Sequence, residues 1–153
     1  MSTTELFGTK IKALIERTAA RDLYDVQNMI KYNVIQEEEH GLLRKTVIFY
    51  LVIGAKQQIS LPFNFDNINN FNYNQIRAKL VPVLKKGEHF DFEAAKIIVK
   101  DYLSELMTLT NKEILFIRNF NQGVYQPDLL FENDDIIRRI KEHPMAVWRI
   151  KRE

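Results

Sequence analysis

Apolar positions recur at helical spacing along most of this chain. Thr3 or Thr4 is placed to cap a first helix that runs to about Arg17, with Glu5 near its positive end and Leu6, Ile11, Leu14 and Ile15 as its apolar face. A second helix from Arg21 to Tyr32 carries Leu23, Val26, Met29 and Ile30 on one side, and Asn33 is a natural stop. From Leu42 to Ala55 the chain is apolar nearly all round. Its β-branched content would suit a buried strand, but its length and lack of turn residues favour a central helix, with Gly54 near its end.

Between Ser60 and Asn72, Pro62 and six Asn or Asp residues alternate with Phe63, Phe65, Ile68 and Phe71, which is loop chemistry with aromatic anchors. A short helix is expected from Asn74 to Val81, ahead of Pro82, and a turn at Lys85-Lys86-Gly87-Glu88. Asp91 then caps a long amphipathic helix to about Met107, whose stripe is Phe92, Ala95, Val99, Tyr102, Leu103 and Leu106. Thr110 with Glu113 has the spacing of a capping box, opening a helix that ends before Gly123. A loop around Pro127, a helix from Asp134 through Lys141, and a last turn from Pro144 to Trp148 complete the pattern. There is no internal repeat and no low-complexity linker. The expected fold is all-α, a compact domain of about six to seven helices over residues 1–153, with a helix pair at 1–32 and a helical core and basic tail over 42–153.

Composition narrows the function classes. With 153 residues, 46% apolar and 27% charged, the chain suits a soluble globular domain, and a net charge of +2 makes no case for nucleic-acid binding. Charge is uneven, however: Glu37-Glu38-Glu39 is an acidic run, and Arg138, Arg139, Lys141, Arg149, Lys151 and Arg152 crowd the last stretch. The absence of cysteine excludes disulfides and thiolate metal sites. No secretory leader opens the chain, and the longest apolar run, Val47 to Ile53, is far short of the ~20 residues a bilayer requires. A cytoplasmic protein with no membrane partner is the expectation.

The candidate chemistry lies at the start. Lys10, Leu14, Arg17 and Arg21 follow i, i+4, i+7 and i+11, a single face if the helix continued. A compact ammonium beside planar guanidinium forks is what a triphosphate or a transferring phosphoryl group calls for. Asp22 and Asp25, three apart on the second helix, could complete a metal shell, hold Lys10 or orient an arginine. The same spacing also describes a surface hairpin in which Arg17 and Arg21 pair with Asp22, Asp25 or Glu16.

From Glu5-Leu6 through Lys10-Ile11, Ala13-Leu14 and Arg17 to Arg21-Asp22 and Asp25, the opening resembles a motif of the AbiEii/AbiGii nucleotidyltransferase toxins, E-L-x-x-x-K-(I/L)-x-A-L-x-x-R-x-x-x-R-D-x-x-D. The segment from Thr110 through Gly123, Tyr125 and Pro127-Asp128-Leu129-Leu130-Phe131 to His143-Pro144 and Trp148 is similar to the usual tail of the same proteins. The resemblance implies an enzyme that moves a nucleotide from a Mg2+-bound NTP to an RNA or protein acceptor, in a bacterial toxin–antitoxin or phage-abortive system. Lys10 would contact the nucleotide phosphates, supported by Arg17 and Arg21, and Asp22 or Asp25 would be the essential acidic residue, Asp22 preferred.

In the family, a first lobe supplies a Gly-Ser loop and an Asp-x-Asp metal pair. Neither pattern occurs in this sequence, so the chain is expected to be the C-terminal helical portion, to bind no metal itself and to be inactive alone. Its expected partners are the missing lobe or a partner subunit, and an antitoxin. RNA contact through the basic tail is a weaker expectation. The rival reading is a non-catalytic helical interaction module. His40, His89 and His143 are too scattered for a metal site, with His143 read as a turn residue. Trp148 is expected to staple its helix to the core rather than to stack on a base. The stretch from Ser60 to Gly87 suggests no function.

Overall fold

A computed structural model describes residues 2–17, 20–55, 58–66, 68 and 91–152. Over these the chain is all-α. Its helices are α1 Thr3–Arg17, α2 Ala20–Lys31, α3 His40–Gly54, α4 Phe92–Leu106, α5 Asn111–Asn121, α6 Asp134–Ile140 and α7 Pro144–Arg152, with 3-10 turns at Glu37–Glu39 and Pro127–Leu129. No strand occurs among the described residues. The short helix and turn expected between Asn74 and Glu88 lie outside them.

The stretch that is apolar all round is the central helix, not a strand. Leu43, Val47, Ile48, Phe49, Leu51, Val52 and Ile53 of α3 are all buried. Helices α1, α4, α5 and α7 pack around it, while α2 lies against α1 and α4. Burying each such side chain contributes about 1.5–3 kcal/mol, which is why the helix without a polar face takes the middle. Phe116 and Ile117 of α5, and Val99 and Leu103 of α4, extend the same core.

Helices α1 and α3 run parallel. Thr4 Oγ1 donates to Glu39 Oε2 at 3.4 Å, Gly8 faces Thr46, and Lys12 crosses Gly54 at the end of α3. The approach at Gly8 is close: a Cβ placed there would stand 2.6 Å from Thr46 Cγ2. This contact sets the rotation of α1. Its buried side is Thr4, Gly8, Ile11 and Leu14, and Leu6, expected to face inward, is 42% exposed.

The helix ends show which local signals act. Ser2, not Thr3 or Thr4, caps α1: its Oγ accepts the Glu5 N–H at 3.1 Å, which puts both threonines inside the first turn. Asp91 Oδ1 accepts from Ala94 N–H at 3.1 Å, as its position suggested. Helix α6 opens at Asp134 as expected, and Asn133 caps it, its Oδ1 accepting from the N–H groups of Asp135 and Ile136. Helix α2 ends in a Schellman motif, with Asn33 at φ 51° and bonds from Val34 N–H to Met29 O and from Asn33 N–H to Ile30 O. Helix α5 ends the same way at Gly123, φ 84°.

Two features of the second half depart from the sequence pattern. The capping box at Thr110 and Glu113 forms, but Glu113 is wholly buried and also accepts from Arg44 Nε at 2.9 and 3.0 Å, with Lys45 Nζ at 3.4 Å. Burial alone would raise its carboxyl pKa. The Thr110 N–H, the Arg44 bond and the charges of Arg44 and Lys45 outweigh that and hold it below the ordinary 4.5. Trp148 does not staple α7 to the core: it is 54% exposed, and Ala146 makes the fully buried contact. Helix α7 also runs on past Trp148 to Arg152, capped by His143, whose Nδ1 accepts from Met145 N–H at 3.2 Å.

Candidate functional site

The first two helices form a hairpin that brings distant charges together. Lys10, on the third turn of α1, donates from Nζ to Asp25 Oδ2 at 2.7 Å across to α2. Both side chains keep about a quarter of their surface, 27% and 26%, so the pair is shielded yet reachable. Asp22 lies one turn before Asp25, buried, in the first turn of α2, where the helix dipole favours a carboxylate. Arg21 beside it is exposed.

Helix α1 ends at Arg17 and α2 begins at Ala20, so Lys10, Leu14, Arg17 and Arg21 do not form one continuous face. Leu14 is fully buried and belongs to the core instead. The side chain of Arg17 lies outside the described residues. Of the three tasks open to the aspartates, Asp25 performs one: it holds Lys10. The hairpin is not enclosed by the rest of the described chain, since Leu6, Arg21 and Tyr32 are all exposed.

The described residues do not themselves make a divalent-metal site. Asp25 is neutralised by Lys10, and no group of three His, Asp or Glu side chains converges among the described residues. His40 and His143 stand apart in other roles, one edge-on to Tyr102 at 5.7 Å and the other edge-on to Phe49 at 5.5 Å. His89 lies outside the described residues. Clefts among the described residues include one of ≈ 740 Å³ beside Arg44 and Tyr102 and one of ≈ 540 Å³ beside Glu5 and Arg139, both away from the Lys10–Asp25 pair. Neither is lined by Lys10, Asp22 or Asp25, so the shape of the surface and the charge cluster point to different places. The cluster has the chemistry of phosphate handling; the clefts have the room for a small molecule.

An all-helical domain whose opening hairpin holds Lys10 of α1 against Asp25 of α2 is thus what the chain presents over its described residues. It matches the model of the nucleotidyl transferase AbiEii toxin family of type IV toxin–antitoxin systems over residues 1–110, and it belongs to that family. The match takes in the whole hairpin and stops at Thr110, so the similar tail beyond is not part of it. No curated protein and no solved structure matches the chain. Among the described residues no helix is long and apolar enough to cross a membrane.

Sequence spacing identified the residues of the hairpin and offered a hold on Lys10 as one of three tasks for Asp22 and Asp25, without choosing between the two aspartates. It missed Glu5, Tyr50, Arg139 and His143, which line the ≈ 540 Å³ cleft. These come from three helices and a connection, and no local spacing signals that they meet.

Proposed function

We propose that this chain supplies the helical side of the active site of a nucleotidyl-transferring toxin, which moves a nucleotide from an NTP to an RNA or protein acceptor and is countered by an antitoxin. The observation that carries the reading is the Lys10–Asp25 bond of 2.7 Å, joining the two helices of the family motif. An ammonium has three N–H donors; Asp25 takes one and fixes the direction of the rest. The remaining donors meet non-bridging phosphate oxygens as charge builds on them. Arg21, exposed about one turn before Asp25 on α2, supports that contact with a planar fork, as does Arg17, and Asp22 is the essential acidic residue of the set. Mg2+ would be held by carboxylates of the missing lobe, since the residues described in this chain do not fit it.

The test is nucleotide binding by the toxin with and without its metal-holding lobe, followed by transfer of labelled nucleotide to RNA and to protein. Lys10→Ala is expected to weaken triphosphate affinity about tenfold. Asp25→Asn is expected to weaken it less, by releasing the ammonium from its orientation. Lys12→Ala is the control, because Lys12 bonds Glu16 at 2.9 Å on the same helix, away from Asp25. Equal affinities for the Lys10 and Lys12 variants would remove the assignment.

A second reading, a non-catalytic interaction module for a partner subunit or antitoxin, draws on exposed apolar residues of α1 and of the turn that follows α2. Leu6 is 42% exposed, Tyr32 67% and Val34 41%. Concentration-dependent association without any triphosphate affinity favours it over transfer.

A further inference from the structure

The cleft beside Glu5 and Arg139 has a divided lining. Its floor is apolar: Phe49 is 2% exposed, and the rings of Phe131 and His143 stand edge-on to it at 6.2 and 5.5 Å. Ile136 and Ile140 of α6 close one side. At its rim a carboxylate and a guanidinium face each other from α1 and α6, with Arg139 Nη1 3.8 Å from Glu5 Oε1. That is ion-pair distance but beyond hydrogen-bond length, so neither group consumes the other's donors or lone pairs. Both are accessible, Glu5 at 33% and Arg139 at 66%.

Further polar groups stand close by. Tyr50 lines the same cleft as Glu5 and Arg139, and its hydroxyl is pushed up by burial and by Glu5 and drawn down by Arg139. His143 accepts at Nδ1 from Met145, which leaves Nε2 to carry the proton of the neutral ring. The first turn of α1, at Ser2 and Thr4, lines the same wall with its positive end.

Opposite charges side by side above an apolar floor select a guest with the same division. A lone anion meets Glu5, a lone cation meets Arg139, and a purely apolar guest strips water from both without replacing it. An α-amino acid carries its ammonium and carboxylate on one carbon and its side chain beside them. We infer that this cleft binds a free amino acid with a bulky apolar side chain, its ammonium on Glu5, its carboxylate on Arg139 and its side chain over Phe49. The volume of ≈ 540 Å³ is in the range of small-molecule sites. The site is separate from the Lys10–Asp25 pair and does not rest on the nucleotidyl-transfer reading.

Isothermal titration of the intact protein with phenylalanine and leucine tests this. The comparison ligands are hydrocinnamate, phenethylamine and N-acetylphenylalanine amide, which lack the ammonium, the carboxylate or both charges. The expected result is saturable binding of the free amino acids at about millimolar concentration or tighter, with each comparison ligand weaker by about tenfold or more. Arg139→Ala and Glu5→Gln are each expected to reduce affinity by a similar factor. Arg138→Ala, which alters an exposed neighbour on the same helix, leaves it unchanged. No saturable binding at millimolar amino acid overturns the inference. So does equal affinity for the acetylated amide, which would make the cleft an apolar groove indifferent to charge. The ligand series on the unaltered protein decides the matter even if a variant folds poorly.

Discussion

Glu113 is the residue that ties α5 to α3. With no surface of its own, it accepts from Arg44 and from its own capping position and stands 3.4 Å from Lys45. Replacing it by Gln keeps the shape and removes the charge that two cations face. Glu113→Gln is therefore expected to cost about 2–4 kcal/mol in urea unfolding. Its carboxyl is held below the ordinary 4.5 in the folded state, so its contribution is complete above that value and is lost as pH falls through the folded pKa. Acid should destabilise the unaltered protein more steeply than the Gln variant across that range. The capping box itself was legible from the spacing of Thr110 and Glu113. Arg44, 69 residues away, was not, because nothing local relates the two.

At the scale of elements, the parallel pair α1 and α3 depends on a missing side chain. Alanine is the better helix former by up to about 1 kcal/mol, so Gly8→Ala should stabilise an isolated helix. Here its Cβ would lie 2.6 Å from Thr46 Cγ2, and the helices must part. The expected net effect is a loss of about 1–3 kcal/mol, recovered in part by Thr46→Ser, which deletes the offending methyl. Thermal melts of the single and double variants measure it, and a stabilised Gly8→Ala protein would show the contact to be looser than described. The α1–α2 hairpin was readable as two helices. That Asp25, and not Asp22, takes Lys10 depended on how they cross. Leu6 erred for the same reason: helical spacing says which residues share a face, not which face another helix will cover.

For the molecule as a whole, packing around the central α3 takes polar groups of several segments out of water. Burial pushes the Tyr102 hydroxyl up to about 12, and Tyr50 and Tyr125 are raised as well. A raised acid stabilises the fold fully below its ordinary value of 10.0, and that stabilisation is lost as pH rises towards the folded pKa. Together with Glu113 this predicts a stability plateau between acid and alkaline losses, measurable as the thermal midpoint against pH. The Tyr102 hydroxyl is also buried with no hydrogen-bond partner among the described residues. Tyr102→Phe should leave stability unchanged or raise it by about 1 kcal/mol, and should flatten the alkaline arm. A loss of more than that would mean the hydroxyl has a partner.

The order of apolar and polar residues was enough by itself to determine an all-helical chain, the position of the central helix, the caps at Asp91 and Thr110, the stop at Asn33, and the family motif on the opening helix pair. These are local matters, decided by propensity, period and capping within a few residues. Tertiary structure alone decided that Glu113 would be a buried counter-ion, that Trp148 would stand exposed while Ala146 filled the core, and that Glu5 and Arg139 would meet over Phe49. Each of these depends on which helices touch and at what rotation, and that is fixed by close packing between segments far apart in the chain.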